Sequence, residues 1–227
     1  MLNKKTYAQA GEDSILAYVA AVLGIPFGEC NYIDIGANRP KEMSNTFFFY
    51  SHGARGILVE ADPRLIPGLR FYRSEDVILN RCIASSSGKK KQFNLLNIEG
   101  ISTAGDIENL IKENEAVKLV ERIEVETISF NEIVETYMPE APVLLTIDVE
   151  GMDFKVLQSI NWTSYRPLIL IVETIPYSMD LLVESKEFEI IEYMNNQGYC
   201  EYAFTGINSI FLDKNRVKEL NIKRRNK

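Results

Sequence analysis

Apolar positions along the chain follow two alternating spacings, which predict strands that alternate with helices. Short continuous apolar runs are typical of strands buried on both faces of a sheet. The clearest of these runs occupy Tyr32–Ile35, Gly56–Glu60, residues 143–148 and residues 168–173. Apolar residues recur at helical spacing elsewhere, first over residues 13–23. The alternation predicts a parallel sheet with helices on both faces.

Weaker patterns complete the predicted order of elements. Residues 77–80 and 82–84 together predict a third strand. Further strands are predicted at residues 93–96, 123–127, 199–204 and 209–212, and helices at residues 106–119, 129–137, 153–160 and 187–196. Because Gly206 divides the last two strands, we expect them to form a hairpin. The predicted fold class is α/β, a Rossmann-like, mostly parallel doubly wound sheet with an antiparallel C-terminal hairpin.

The chain contains no internal repeat and no long linker, so we expect a single domain over residues 1–227. Residues 1–30 should form an N-terminal helical segment of that domain. Residues 214–227 form a basic C-terminal tail, and we expect its main basic cluster, residues 223–227, to be a solvated and frayed end. Oligomeric state is left open by the sequence.

The balance of charge argues against two classes of partner. With 227 residues, a net charge of −7 and a pI of about 5.0, the surface should repel nucleic acid and anionic membranes. Cys30, Cys82 and Cys200 are scattered and include no Cys-x-x-Cys pair, which suits a reducing cytoplasm. Polar residues interrupt the N-terminus too early for a signal peptide. We therefore expect a cytoplasmic protein.

Acidic residues end or nearly end four of the predicted strands, namely Asp34, Glu60, Asp148 and Glu173. Ligands of doubly wound sheets bind beyond the carboxyl ends of the strands. Carboxylates gathered in a crevice repel one another and lose hydration, so stability alone does not explain this pattern. The pattern therefore predicts a ligand site at this edge.

The first predicted turn favours one kind of adenosine ligand. A dinucleotide site requires several glycines around the pyrophosphate, but only Gly36 stands here and Asp34 precedes it. A carboxylate at this place attracts a cation, and S-adenosylmethionine carries a sulfonium and an ammonium group. Glu60 stands where such sheets bind the ribose hydroxyls. An NAD-dependent oxidoreductase remains a disfavoured alternative.

Four segments in this order resemble the FkbM family of methyltransferases. They are residues 9–13 (QAGED), 32–38 with 44–46 (YIDIGAN, SNT), 56–60 (GILVE) and 147–153 (IDVEGMD). The resemblance implies a class I methyltransferase fold with S-adenosylmethionine as methyl donor. It also implies methylation of a hydroxyl on a sugar, glycan or small natural product. Asp153 departs from the glutamate that is common in the family.

Methyl transfer to an alcohol needs a group that removes the hydroxyl proton. A carboxylate in hydrogen-bond reach contributes roughly 10²–10⁴-fold. Asp148 is our first candidate for this base, and Glu150 is the alternative. Both carboxylates would also stabilise the N-terminus of the next helix, which is the competing explanation. A catalytically silent relative that binds the cofactor or a carbohydrate is a further alternative.

The remaining candidates divide between donor and acceptor. Predicted cofactor-binding residues are Gln9, Glu12, Asp34, Gly36, Asn38, Ser44, Asn45, Glu60 and Ala61. Ser44 and Asn45 are equally explained as helix caps, and Glu12 as a helix-start charge. Asp153 and Glu173 are predicted to bind the substrate. Asp148, Glu150 and Asp153 offer oxygens to Mg²⁺, but we favour catalysis without a metal.

Overall fold

The computed structural model describes residues 6–98, 100–105, 107–114, 116–138, 140–149, 151–175 and 186–225. Its strands are β1 Tyr32–Ile35, β2 Gly56–Glu60, β3 Val77–Asn80, β4 Cys82–Ile83, β5 Lys90–Leu96, β6 Leu119–Ile128, β7 Leu144–Ile147, β8 Ile169–Glu173, β9 Tyr199–Phe204 and β10 Asn208–Asp213. Its α-helices are α1 Glu12–Leu23, α2 Phe47–Ser51, α3 Ile66–Tyr72, α4 Glu108–Glu113, α5 Phe130–Tyr137, α6 Asp153–Ser159, α7 Phe188–Asn196 and α8 Lys214–Arg225. A short 3₁₀ helix spans Phe27–Glu29.

The main sheet has seven strands in the order β3-β2-β1-β7-β8-β10-β9. The first five strands are parallel, with Ile33 of β1 opposite Ile57 of β2 and Leu145 of β7. β10 pairs antiparallel with both β8 and β9. This order confirms the predicted mostly parallel sheet with an antiparallel C-terminal hairpin.

Successive residues of each central strand enter opposite hydrophobic layers, because side chains alternate across a sheet. Ile33 and Ile35 of β1 belong to the layer that α5, α6 and α7 cover. Tyr32 belongs to the opposite layer, which α1, α2 and α3 cover. Both faces of the sheet are therefore buried, which explains the continuous apolar runs in the sequence.

A second sheet, in the order β4-β6-β5, lies beside the end of β2. β5 runs antiparallel to β6, and β4 runs parallel to β6. Cys82, Phe93 and Val125 form its inner face, which packs against Ala61 just beyond β2. The prediction that residues 77–84 form one strand is wrong, since β3 joins the main sheet and β4 joins the second.

The predicted helix over residues 106–119 is also wrong, because the structure has only the short α4 there. Leu119 already belongs to β6. The helix does not reach Lys118, because the backbone of that residue is bound to Asn97. The amide of Asn97 donates to the oxygen of Lys118, and the amide of Lys118 donates to Asn97 Oδ1. Buried Val117 anchors this turn in a small cluster with Leu96 and Ile101.

Helix α8 extends to Arg225, so it includes the first part of the basic cluster that was expected to fray. Asp213 starts this helix, because its Oδ1 accepts the amides of Asn215 and Arg216 at 2.8 and 3.0 Å. Val217 and Leu220 pack against the layer formed with α1. The sequence pattern did not predict this helix, because only these two apolar residues, three positions apart, stand out among many charged ones.

Candidate functional site

Two neighbouring cavities lie at the carboxyl ends of β1, β2 and β7. The larger has a volume of about 600 Å³ and the smaller about 360 Å³. Gly36, Asn38 and Asp148 line both cavities. The structure therefore brings the turn after β1 and the loop after β7 together, as the sequence predicted for strand ends on one edge.

Gly36 is required by the contact between these two loops. Its φ is 82°, and a Cβ atom there would lie 1.8 Å from the backbone oxygen of Asp148. The amide of Gly36 donates to Val59 at 2.9 Å, and the amide of Asp148 donates to Ile35 at 3.0 Å. No side chain fits this approach, so any substitution must separate the loops.

Glu60 lies at the end of β2 and is held by backbone amides. Its Oε2 accepts from Asn38 at 2.8 Å and its Oε1 accepts from Asp62 at 2.7 Å. Burial raises the pKa of Glu60 to about 7, although both amides oppose the rise. The Glu60 carboxylate lines the larger cavity and connects the turn after β1 to the loop after β2.

Asn38 supplies an unsatisfied acceptor at the same wall. Its backbone is left-handed, with φ 48°, and its amide nitrogen faces Gly100. Its Oδ1 is buried and has no hydrogen-bond partner within the described chain. Leaving a buried acceptor unpaired costs about 1–3 kcal/mol, so a ligand donor at this wall would be favoured.

The second sheet and residues 100–104 form the far wall of the larger cavity. Arg64 connects this wall to the main domain, since it pairs with Asp62 and donates to the oxygens of Leu96 and Ser102 at 3.1 Å. Phe93 adds an aromatic surface to the wall. Sequence reasoning missed this wall, because its residues belong to elements without a shared motif.

The smaller cavity is polar and is lined by Asp34. Thr46 Oγ1 donates to Asp34 Oδ2 at 2.7 Å. Burial raises the pKa of Asp34 to about 6, while the Thr46 hydrogen bond and the charge of Arg73 oppose that rise. The other predicted cofactor residues at this cavity are Gln9, Gly36, Asn38, Ser44 and Asn45.

Arg73 was missed by sequence reasoning, although it contacts Thr46, which in turn donates to Asp34 of this cavity. It is only 1% exposed and forms a 2.8 Å ion pair with Asp76. Its guanidinium also donates to Tyr32 at 2.9 Å and to Thr46 at 3.1 Å. An arginine three residues before an aspartate looks like a surface pair, so its burial had no sequence signal.

The family of the chain follows from a direct comparison. A model of the methyltransferase FkbM domain matches residues 34–200, which is most of the chain. The chain belongs to the FkbM methyltransferase family. This membership makes it an S-adenosylmethionine-dependent methyltransferase with a class I fold, as the resemblance implied.

Solved structures with similar folds are distant in sequence from this FkbM protein. An O-methyltransferase from Bacillus cereus in complex with SAH has 10% identity and a TM-score of 0.43, covering 92% of this chain and 83% of that one. Fibrillarin from Aeropyrum pernix with bound S-adenosyl-L-methionine has 14% identity and a TM-score of 0.42, covering 86% and 73%. No curated protein sequence matches significantly.

Three predicted site residues of this FkbM protein lie outside the lining of the two cavities. Glu12 accepts from Thr205 at 2.8 Å and from Asn208 at 2.9 Å, so it anchors α1 to the β9–β10 turn. Asp153 is buried and accepts the amide of Val149, and burial raises its pKa to about 6. Glu173 is half-buried at the end of β8.

Two further predictions concern the alternative base and a metal site. Glu150, the alternative base, lies outside the described residues. Within the described residues, no three His, Cys, Asp or Glu side chains are grouped closely enough to hold a metal. The same residues include no helix with the length and hydropathy that a membrane span requires. The roles assigned to the individual site residues stay predictions.

Proposed function

We propose that this FkbM methyltransferase transfers a methyl group to a hydroxyl oxygen of a sugar, glycan or small natural product. The observation that carries the proposal is the junction of the two cavities at Asp148. The larger cavity combines apolar groups with the buried carboxylates of Glu60 and Asp62, whereas the smaller cavity is polar. An acceptor at the junction would be within reach of both the methyl donor and a base.

The chemistry of the two cavities fits the two ends of S-adenosylmethionine. The larger cavity offers Phe93 for the adenine, Glu60 for the ribose hydroxyls and the unpaired Oδ1 of Asn38 for a ligand donor. The smaller cavity offers the Asp34 carboxylate for the ammonium group. Its polar side chains, including Gln9 and Asn45, suit the carboxylate of the methionine end.

Bound S-adenosylmethionine supplies an electrophilic methyl group on a sulfonium. Asp148 follows β7 directly, and its backbone is fixed against β1 by the bond to Ile35. In our proposal its side chain accepts the proton of the acceptor hydroxyl as the new carbon–oxygen bond forms. Positioning by the rigid loops keeps the acceptor in line with the methyl group.

Asp148→Asn separates donor binding from catalysis. We expect S-adenosylhomocysteine to bind the variant within about threefold of wild type, because Glu60 and Asp34 are intact. Methyl transfer should fall by about 100-fold or more, since the base is lost. Calorimetry measures the affinity for S-adenosylhomocysteine. The rate of methyl transfer is measured with labelled S-adenosylmethionine and a panel of mono- and oligosaccharides and hydroxylated natural products.

Glu124→Gln is the matched control, because Glu124 forms an exposed ion pair with Lys90 on the second sheet. It should change neither quantity. Failure of wild type to bind S-adenosylhomocysteine would overturn the donor assignment. Transfer to nitrogen or sulfur acceptors alone would overturn the hydroxyl assignment, and unchanged turnover in Asp148→Asn would remove Asp148 as the base.

A further inference from the structure

A buried chain of hydrogen bonds reaches Asp34 from three residues that line neither cavity. Asp76 binds the Arg73 guanidinium at 2.8 Å, and Arg73 Nη2 donates to Thr46 Oγ1 at 3.1 Å. Thr46 Oγ1 then donates to Asp34 Oδ2 at 2.7 Å. The four side chains come from three segments, since Arg73 and Asp76 share the turn after α3, and all are buried.

The direction of these hydrogen bonds is fixed by chemistry. A guanidinium only donates, so Thr46 Oγ1 must accept from Arg73 and has a single proton left to give. Asp34 is the nearest acceptor for that proton, at 2.7 Å, whereas Ser44 Oγ lies 3.4 Å away. The hydrogen bonds from Arg73 to Thr46 and from Thr46 to Asp34 form a relay. This relay presents Asp34 with a donor, which favours the ionised carboxylate.

Thr46 has no structural duty that would explain its hydroxyl otherwise. It occupies the N-cap position of α2, but its side chain makes no capping hydrogen bond. Ser44 Oγ accepts the amide of Phe47 instead, at 3.2 Å. Arg73 does not depend on Thr46 for its position, because its Nε donates to Asp76 and its Nη2 donates to Tyr32.

We propose that Thr46 and Arg73 are positioning residues that keep Asp34 ionised and oriented toward the ammonium group of the methyl donor. The inference rests on the proposed function, because it takes the smaller cavity as the site of the methionine end. Among the described residues, the Asp34 carboxylate accepts a hydrogen bond from Thr46 alone, on Oδ2, which leaves Oδ1 for the ligand.

Charge around Asp34 supports a need for the relay. The pKa of Asp34 is raised to about 6: burial is the main cause and the Asp76 carboxylate adds to it, while the Thr46 hydrogen bond and the charge of Arg73 oppose the rise. Asp148 is the other acidic residue that lines the same cavity. Without the Thr46 hydroxyl, Asp34 would take up a proton nearer to neutral pH and lose its attraction for a cation.

A pair of ligands isolates this effect. S-adenosylhomocysteine has the amino-acid end, whereas 5′-methylthioadenosine has the same adenosine without it. At pH 7.5, Thr46→Val should weaken S-adenosylhomocysteine binding by about tenfold or more, because a hydrogen bond to a charged group is lost. Binding of 5′-methylthioadenosine should change less than about twofold, and Thr46→Ser should restore wild-type values for both ligands.

The pH dependence of wild type is a second measurement that needs no variant. The ratio of the two affinities should fall as the pH drops through about 6, where Asp34 becomes protonated. Glu60 also titrates in this range, but both ligands have the ribose, so the ratio removes its contribution. In Thr46→Val the fall should begin at higher pH.

Each result distinguishes the relay from the proposed function. If wild type binds neither ligand, the donor site and the relay are both wrong. If wild type binds both ligands but Thr46→Val weakens them equally, Thr46 has only a structural role and the relay is wrong. A wild-type affinity ratio that stays constant between pH 5 and 8 would overturn the relay even if the variant does not fold.

Discussion

The ends of β1 and β2 each present a buried carboxylate, but the two are supported in different ways. Glu60 is held by the backbone amides of Asn38 and Asp62. Asp34 is held by the side chain of Thr46, which Arg73 supports in turn. Backbone donors are present whatever the neighbouring residues are, whereas side-chain donors can be lost by substitution. The difference predicts that the two carboxylates respond to different mutations.

Arg73→Met should have the largest effect, and it acts on stability. The substitution leaves Asp76 as a buried charge without its cation, which typically costs about 3–5 kcal/mol. Urea denaturation followed by circular dichroism measures the free energy of unfolding. Lys90→Met is the control, because its ion pair with Glu124 is exposed and worth about 0–1 kcal/mol. Similar losses in both variants would mean that the buried network does not stabilise the fold.

Glu60→Gln should affect binding next most strongly, and it should not distinguish the two ligands. Removing the charge that meets the ribose should weaken S-adenosylhomocysteine and 5′-methylthioadenosine alike, by about 10- to 100-fold. Thr46→Val is the natural contrast, since it should affect only the ligand with the amino-acid end. Calorimetry measures both dissociation constants for each variant.

A much greater loss for S-adenosylhomocysteine than for 5′-methylthioadenosine in Glu60→Gln would contradict this division of labour. It would place the amino-acid end near β2 and reverse the assignment of the two cavities. A melting curve of the free variant measures the structural cost, because glutamine has one side-chain oxygen and accepts only one of the amides of Asn38 and Asp62 that Glu60 accepts on two oxygens.

The same contrast explains what could be predicted from sequence. Asp34, Glu60 and Asp148 end apolar runs, so periodicity alone placed them on one edge of the sheet. Arg73 has no such signal, because its partners at positions 32, 46 and 76 become neighbours only through the folded sheet. The helix predicted to begin at residue 129 was legible because its start is local: the Ser129 hydroxyl accepts the amide of Glu132.

The second sheet shows the same limit at the level of elements. β3 and β4 are separated by Arg81 alone, so their apolar residues form one pattern in the sequence. Only the pairing of β4 with β6, more than 40 residues later, assigns it to another sheet. Long-range pairing of this kind leaves no periodic trace in a single sequence.

The smallest expected effect is on the pH dependence of stability in the unliganded protein. The pKa of Glu60 is raised from 4.5 to about 7 and that of Asp34 from 3.8 to about 6, so the folded state binds these protons more tightly than the unfolded state. The two groups therefore stabilise the folded state fully at pH values below the pKa of the unfolded state. This stabilisation is lost as the pH rises through the pKa of the folded state. Each group adds a slope of at most about 1.4 kcal/mol per pH unit.

Glu60→Gln should therefore flatten the fall in unfolding free energy between about pH 5 and 7, while the part due to Asp34 below about pH 6 persists. Thr46→Val should do the reverse: it extends the Asp34 contribution to higher pH and leaves the Glu60 contribution unchanged. Urea denaturation at half-unit pH steps measures both slopes. Identical pH profiles in the two variants would mean that one shared group, and not two separately supported carboxylates, governs the titration of the site.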